Sequence, residues 1–196
     1  MAAPGSFILR ALDSREAKPI PGTEGTLCTP FFSPDGQWLA FYVPGFLKKV
    51  SLQGGTPVTL ANISGMLGAS LGTDDTIVFA EPSGSGIVKV SAAGGTPQTI
   101  THVDPGKGEA NHRYPFLLPG GKVLLFAVGL NGRGKDVQIV VQRLDTGERK
   151  VLVEGGTYPS YVPTGHLAAI SQRFERNLPE TAQKGRRIVI RPSGIS

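Results

Sequence analysis

Ser33-Pro34-Asp35-Gly36-Gln37-Trp38-Leu39-Ala40-Phe41-Tyr42-Val43 is the stretch on which the fold turns, because weaker copies of it return three times. Pro-Asp-Gly is a turn with a mechanism: proline presets φ, aspartate caps its own backbone, and glycine accepts the left-handed conformation. The residues after it alternate along a strand. Trp38, Ala40 and Tyr42 point one way and Leu39, Phe41 and Val43 the other, so both faces are apolar, as in a strand packed between two layers. The copies are Thr73–Phe79, Pro119–Phe126 and Pro163–Ile170. Aligned on Gly36, Asp75, Gly121 and Gly165, they lie 39, 46 and 44 residues apart. That period belongs to propeller blades.

Outward from each copy the same companions recur. A strand pair follows it, as in Phe46–Leu52 with Val58–Leu60, Ile87–Ser91 with Gln98–Ile100, and Val137–Leu144 with Lys150–Val153. Gly54-Gly55-Thr56-Pro57 and Gly94-Gly95-Thr96-Pro97 are identical turns within the first two pairs. A short segment precedes each copy: Leu27–Phe32, Gly65–Leu71, Tyr114–Leu118 and Tyr158–Val162. Pro30, Pro115 and Pro159 favour extended backbone at the residues before them. Each period therefore holds one four-stranded antiparallel blade, with apolar inner strands and a more polar outermost strand.

The expected fold is an all-β, partial β-propeller with repeats of roughly 40–45 residues. Residues 1–6 read as a disordered start and 7–170 as the propeller segment, with a half blade at 7–21, full blades at 27–60, 65–101 and 114–153, and a half blade at 158–170. The two halves would close a ring of four blades if they joined, but an arc cut from a larger propeller is the favoured reading. Residues 171–196 form a basic, off-pattern tail in which Arg186–Arg191 reads as one strand. Pro34, Asp35, Gly36, Gly54, Gly55, Gly94, Gly95, Gly120, Gly121 and Gly165 are the expected turn residues.

Composition narrows the function. With 27 glycines and 16 prolines in 196 residues, the chain is rich in turns yet apolar enough to fold. The net charge is +5, but residues 171–196 hold six basic and two acidic side chains, leaving the first 170 residues at +1. A nearly neutral body lacks the broad positive face that phosphate backbones require, so no nucleic-acid partner is expected. A single cysteine, Cys28, excludes an intrachain disulfide and reads as a small buried hydrophobe. No run of 18 apolar residues provides a membrane span, and Met1–Leu12 lacks the pattern of a secretory signal, so the chain taken alone is cytoplasmic by default.

Chemistry concentrates in Asp104-Pro105-Gly106-Lys107-Gly108-Glu109-Ala110-Asn111-His112-Arg113, the expected connection between the second and third full blades. Asp104, Lys107, Glu109, His112 and Arg113 are the candidate ligand or partner surface. A metal reading would use Asp104, Glu109 and His112. The alternative is structural: His112 and Arg113 hydrogen-bond neighbouring blade backbone while Asp104 caps the turn at Pro105. No two of these groups show a recognised ligand spacing, so no metal and no cofactor are expected. Gly129–Asp136 is a glycine-rich basic hairpin that lacks the ending of a phosphate loop. His102, His112 and His166 fall in different blades without a nucleophile elbow, so no catalytic residue is assigned.

Phe32-Ser33-Pro34-Asp35-Gly36, with its apolar strand and the following strand-Gly-Gly-Thr-Pro, resembles the TolB-like, WD-repeat-like propeller repeat of bacteria. Leu12-Asp13-Ser14, Pro21–Gly25, Leu47–Val50, Ala93–Pro97 and Asn111-His112-Arg113-Tyr114-Pro115 resemble the propeller that follows the kinase domain in bacterial serine/threonine kinases. That resemblance implies an extracytoplasmic sensing or docking domain tethered to a cytoplasmic kinase. The kinase motifs themselves are absent from this chain. A non-enzymatic binding module for a protein or small ligand is the first expectation. A propeller accompanying a prolyl-oligopeptidase-like hydrolase or an envelope complex is the second, and a propeller lyase or lactonase with a channel metal the third. Open blade edges also predict self-association.

Overall fold

Alternation with tight turns produces a series of antiparallel sheets. The computed structural model describes residues 5–26, 30–82, 84, 86–131, 137–162, 166–171 and 187–190. β1 (Ile8–Leu9) and β2 (Lys18–Pro19) form a two-stranded sheet. Blade I comprises β3 (Phe31–Phe32), β4 (Trp38–Val43), β5 (Phe46–Ser51) and β6 (Val58–Asn62). Blade II comprises β7 (Ala69–Leu71), β8 (Thr76–Ala80), β9 (Ile87–Ser91) and β10 (Gln98–Thr99). Blade III comprises β11 (Glu109–Leu117), β12 (Val123–Leu130), β13 (Val137–Arg143) and β14 (Arg149–Glu154). A last sheet joins β15 (Gly156–Val162), β16 (His166–Ser171) and β17 (Arg187–Ile190). Among the described residues no helix is long and apolar enough to cross a membrane.

The core lies between blades. Leu39 and Phe41 pack toward the first sheet, Ile77 and Phe79 toward blade I, and Leu124 and Phe126 toward blade II. Phe41, Phe79 and Phe126 are fully buried and occupy one position in three successive blades. Such side chains supply most of the burial that holds neighbouring sheets together.

This equivalence corrects the alignment on Asp75. The N–H groups of Leu52, Ala92 and Leu144 donate to the carbonyls of Gln37, Asp75 and Lys122, which puts Asp75 level with Gln37 rather than with Gly36. The turn of blade II is one residue shorter: Gly72 N–H donates to Thr76 O, where Ser33 and Leu118 reach five residues ahead to Trp38 and Val123. Because side chains alternate with period two, a one-residue slip would move Phe79 to the wrong face. Asp75 takes φ 58 to close the shortened turn. The expected turn glycines Gly36, Gly54, Gly55, Gly94, Gly95, Gly120 and Gly121 all have positive φ, and Gly165 lies outside the described residues.

Further expectations change. Glu109–Arg113 is no connection but the first half of β11, paired with β12. The last unit holds a third strand, because β17 pairs with β16 through Leu167↔Ile190, Ala168↔Val189, Ala169↔Ile188 and Ile170↔Arg187. The tail thus contributes the strand that follows the repeat's hairpin in every other blade. Tyr114 and Tyr158, expected to be extended before their prolines, are left-handed at φ 52 and 53. Both sit where the pairing register shifts, between Arg113 and Phe116 and between Thr157 and Ser160, so a bulge overrides the usual pre-proline preference. Gly5, in the stretch expected to be disordered, accepts the Thr26 N–H at 3.2 Å. Among the described residues, the two-stranded and three-stranded end sheets are not hydrogen-bonded to one another. Cys28 and residues 132–136 of the basic hairpin lie outside the described residues.

Candidate functional site

The chain leaves blade II at Thr101 and crosses to blade III through a short 3₁₀ turn, Pro105–Lys107. Asp104 caps this turn, its Oδ1 accepting the Gly106 N–H at 3.0 Å. The Lys107 ammonium lies 3.3 Å from the same carboxylate, in an exposed pair. Hydrogen bonding from Lys107 holds the Asp104 carboxyl below its ordinary value. Gly108, at φ 75, then turns the chain into β11.

Behind the turn the polar groups go inside. Arg149 Nη1 lies 2.7 Å from Glu109 Oε1, and Arg149 Nε donates to Gln142 Oε1 at 2.9 Å. Glu109 Oε2 accepts the Asp104 N–H at 2.9 Å and sits 3.0 Å from His112 Nε2. His112 Nδ1 lies 2.8 Å from Thr101 Oγ1, which itself accepts the Ile87 N–H at 2.7 Å. One unbroken chain therefore runs from the outermost strand of blade III to the backbone of blade II.

Its protonation state follows from the partners. Burial by itself would raise the Glu109 carboxyl, but the Asp104 N–H, His112 and Arg149 outweigh it and hold the group below its ordinary value. Burial lowers the His112 pKa, against the hydrogen bond it donates to Glu109, which raises it. A neutral ring facing an ionised Glu109 carries its proton on Nε2, which leaves Nδ1 to accept from the Thr101 hydroxyl. The hydroxyl in turn accepts the Ile87 N–H, so donor and acceptor roles alternate along this chain.

Thr101, His112 and Glu109 stand in the order of a nucleophile–base–acid relay. Thr101 and His112 are each 1% exposed, however, and the Thr101 oxygen is shared between a backbone donor and the ring. A nucleophile must reach a substrate carbonyl with a free lone pair. The arrangement works chemically as a clamp between blades. Among the described residues no three His, Cys, Asp or Glu side chains are grouped to hold a metal ion, and both His112 nitrogens already face protein atoms. The trio Asp104, Glu109 and His112 therefore does not fit a metal's ligand set.

The sequence-selected residues separate in space. Asp104, Lys107 and Glu109 line one cavity of about 640 Å³ between the connection that leaves blade II and the strands of blade III, together with His102, Gln138 and Arg149. His112 is buried behind it, and Arg113 points to the exposed side of β11. Sequence reasoning missed Arg149, Gln142 and Thr101. The hairpin at Asp145–Glu148 sets Gln142 opposite Arg149, so that pair was accessible from turn geometry alone. Glu109 and Arg149 meet only when β14 folds back across the blade.

Tyr114 and Tyr158 were missed as well, though Tyr-Pro occurs at both positions. Their rings stack with centroids 3.8 Å apart and planes at 25°. Burial, then a hydrogen bond with Tyr158, raises the Tyr114 phenol. Tyr114 N–H donates to Leu67 O of blade II at 3.0 Å, so the bulge also ties two blades together.

Successive antiparallel blades that pack face to face and are tied by such links define a segment of a β-propeller, a fold shared with solved TolB structures. Among solved structures, a TolB candidate from Agrobacterium tumefaciens is similar over 90% of this chain and 62% of its own, at 21% identity and TM-score 0.69. TolB from Acinetobacter baumannii is similar over 95% of this chain and 46% of its own, at 18% identity and TM-score 0.73. An oligogalacturonate lyase in complex with manganese is similar over 77% of this chain and 48% of its own, at 17% identity and TM-score 0.57. Identities this low establish the fold alone, and the chain spans less than two thirds of each of these proteins. No protein-family model matches the chain, and no curated protein matches its sequence.

Proposed function

We propose that this chain is a non-enzymatic binding module, the sensing or docking part of a receptor-type bacterial serine/threonine kinase. The observation that carries the reading is the consumption of its most reactive groups by the blade clamp. His112 is buried with both nitrogens engaged, and Glu109 is held by Arg149, His112 and the Asp104 N–H. What stays exposed, Asp104 with Lys107 and Arg113, suits recognition of a protein surface through charge complementarity. The kinase assignment draws on the sequence likeness at Leu47–Val50 and Asn111–Pro115.

Purified chain incubated with oligogalacturonate, a gluconolactone and an aminoacyl arylamide, each with and without manganese, is expected to show no turnover above buffer. Turnover that disappears in Glu109→Gln would overturn the non-enzymatic reading. Coding sequence on the 5′ side of Met1 is expected to specify a membrane helix and a kinase domain. A hydrolase domain in the same reading frame would instead replace the kinase assignment.

A further inference from the structure

The interface between blades I and II is left partly empty by its own sequence. A cavity of about 720 Å³ opens at the end that carries the Pro-Asp-Gly turn. Two alanines make the space. Ala92 stands level with Leu52 and Leu144, since all three N–H groups bond equivalent carbonyls. In the flanking interfaces those leucines pack against the buried clusters around Phe41 and Phe126. On the facing wall Ala40 pairs with Lys49, at the level where blade III pairs the buried Leu125 and Val141. Blade II pairs Val78 with Lys89 at the same level, so Ala40 is the smallest of the three side chains there and the interface between blades I and II keeps the most room.

The lining combines three kinds of chemistry. Ala40, Leu71, Ile77 and Ala92 give an apolar floor. Trp38, the chain's single tryptophan, forms a wall, with the Lys49 ammonium 4.5 Å from its ring centroid. Asp35 from blade I and Asp75 from blade II stand exposed at the rim. The Ser33 hydroxyl holds the Asp35 carboxyl below its ordinary value, so it is ionised at neutral pH.

We propose that this cavity binds a free amino acid with an apolar side chain. Lys49 takes the carboxylate, Asp35 and Asp75 take the ammonium, and the side chain lies on Trp38 above the alanine floor. A neutral polyol could hydrogen-bond to these groups but would bring no counter-charge to either sign. A simple anion meets two carboxylates, and a simple cation meets Lys49. A zwitterion alone answers both signs. The site lies on a different blade interface from Asp104 and does not depend on the docking role proposed above.

Fluorescence of the only tryptophan reports directly on this wall. Titration of the whole chain with L-leucine or L-phenylalanine up to about 10 mM is expected to give a saturable change, with L-leucinamide and 4-methylpentanoate at least about tenfold weaker. Ala92→Leu, which fills the space as Leu52 and Leu144 do, is expected to abolish the response while raising the denaturation midpoint. Absence of a saturable response, equal binding of leucinamide, a response to N-acetylglucosamine alone, or full binding by Ala92→Leu would each overturn the proposal.

Discussion

His112 sits neutral inside the protein because burial outweighs the pull of Glu109, and Arg149 and His102 add further disfavour to the charged ring. Its folded pKa lies below the ordinary 6.5 that an unfolded chain retains. As pH falls through 6.5 the unfolded state binds a proton that the folded state refuses, so stability is lost from there downward to the folded pKa. Glu109, also lowered, adds a second loss as pH drops below its ordinary 4.5 and through its folded value. Urea denaturation at pH 5.5 should therefore show about 1 kcal/mol less stability than at pH 7.5. His112→Gln should flatten that slope while lowering stability at both pH values; an unchanged slope would assign the effect elsewhere. The sequence exposed His112, Glu109 and Asp104 as a cluster because they are neighbours in the chain. Arg149, 40 residues from Glu109, was invisible for the same reason.

Elements are held apart at fixed distances by what their innermost strands carry. Gly68, Tyr114 and Tyr158 occur in successive sheets, all left-handed, at φ 93, 52 and 53. A Cβ on Gly68 would lie 2.8 Å from both the Cα and Cδ1 of Tyr114, so blades II and III approach only because a glycine stands there. Gly36, at φ 68, has open space around it and is required only by its turn. Gly36→Ala should thus cost about 1 kcal/mol from the left-handed backbone alone. Gly68→Ala carries that cost plus a backbone collision and should lose at least about 3 kcal/mol, read from denaturant midpoints. Equal losses for the two would show that the blades yield freely. The blade pattern itself was legible from Pro-Asp-Gly and alternation. The slipped turn at Asp75 and the tyrosine bulges were not, since each trades one local preference for pairing with another blade.

Across the whole molecule, the two end sheets determine solution behaviour. Among the described residues, β1 and β2 form a two-stranded sheet and the last sheet has three strands. Leu12, Ile8 and Phe32 are exposed at 100%, 60% and 54%, and Ile170 at 47% on the last sheet. Unpaired strand edges beside such side chains template further pairing. Sedimentation velocity on the isolated chain should show mass rising with concentration, and Ile170→Lys should reduce it. A single monomeric species across the concentration range would contradict the open arc.

The sequence by itself determined the strands, the turns, the repeat and the propeller class, because each rests on residues within one period of one another. Ser33–Val43 was enough to read the blade. Tertiary structure decided how the copies register and which charged residues face which. It set Asp75 level with Gln37, drew β17 from the tail into the last sheet, sank Glu109 and His112 into a clamp with Arg149, and left a cavity beside Trp38. The physical reason is that period-two alternation fixes faces within a strand, whereas the contents of an interface depend on two blades whose side chains meet only after both have folded.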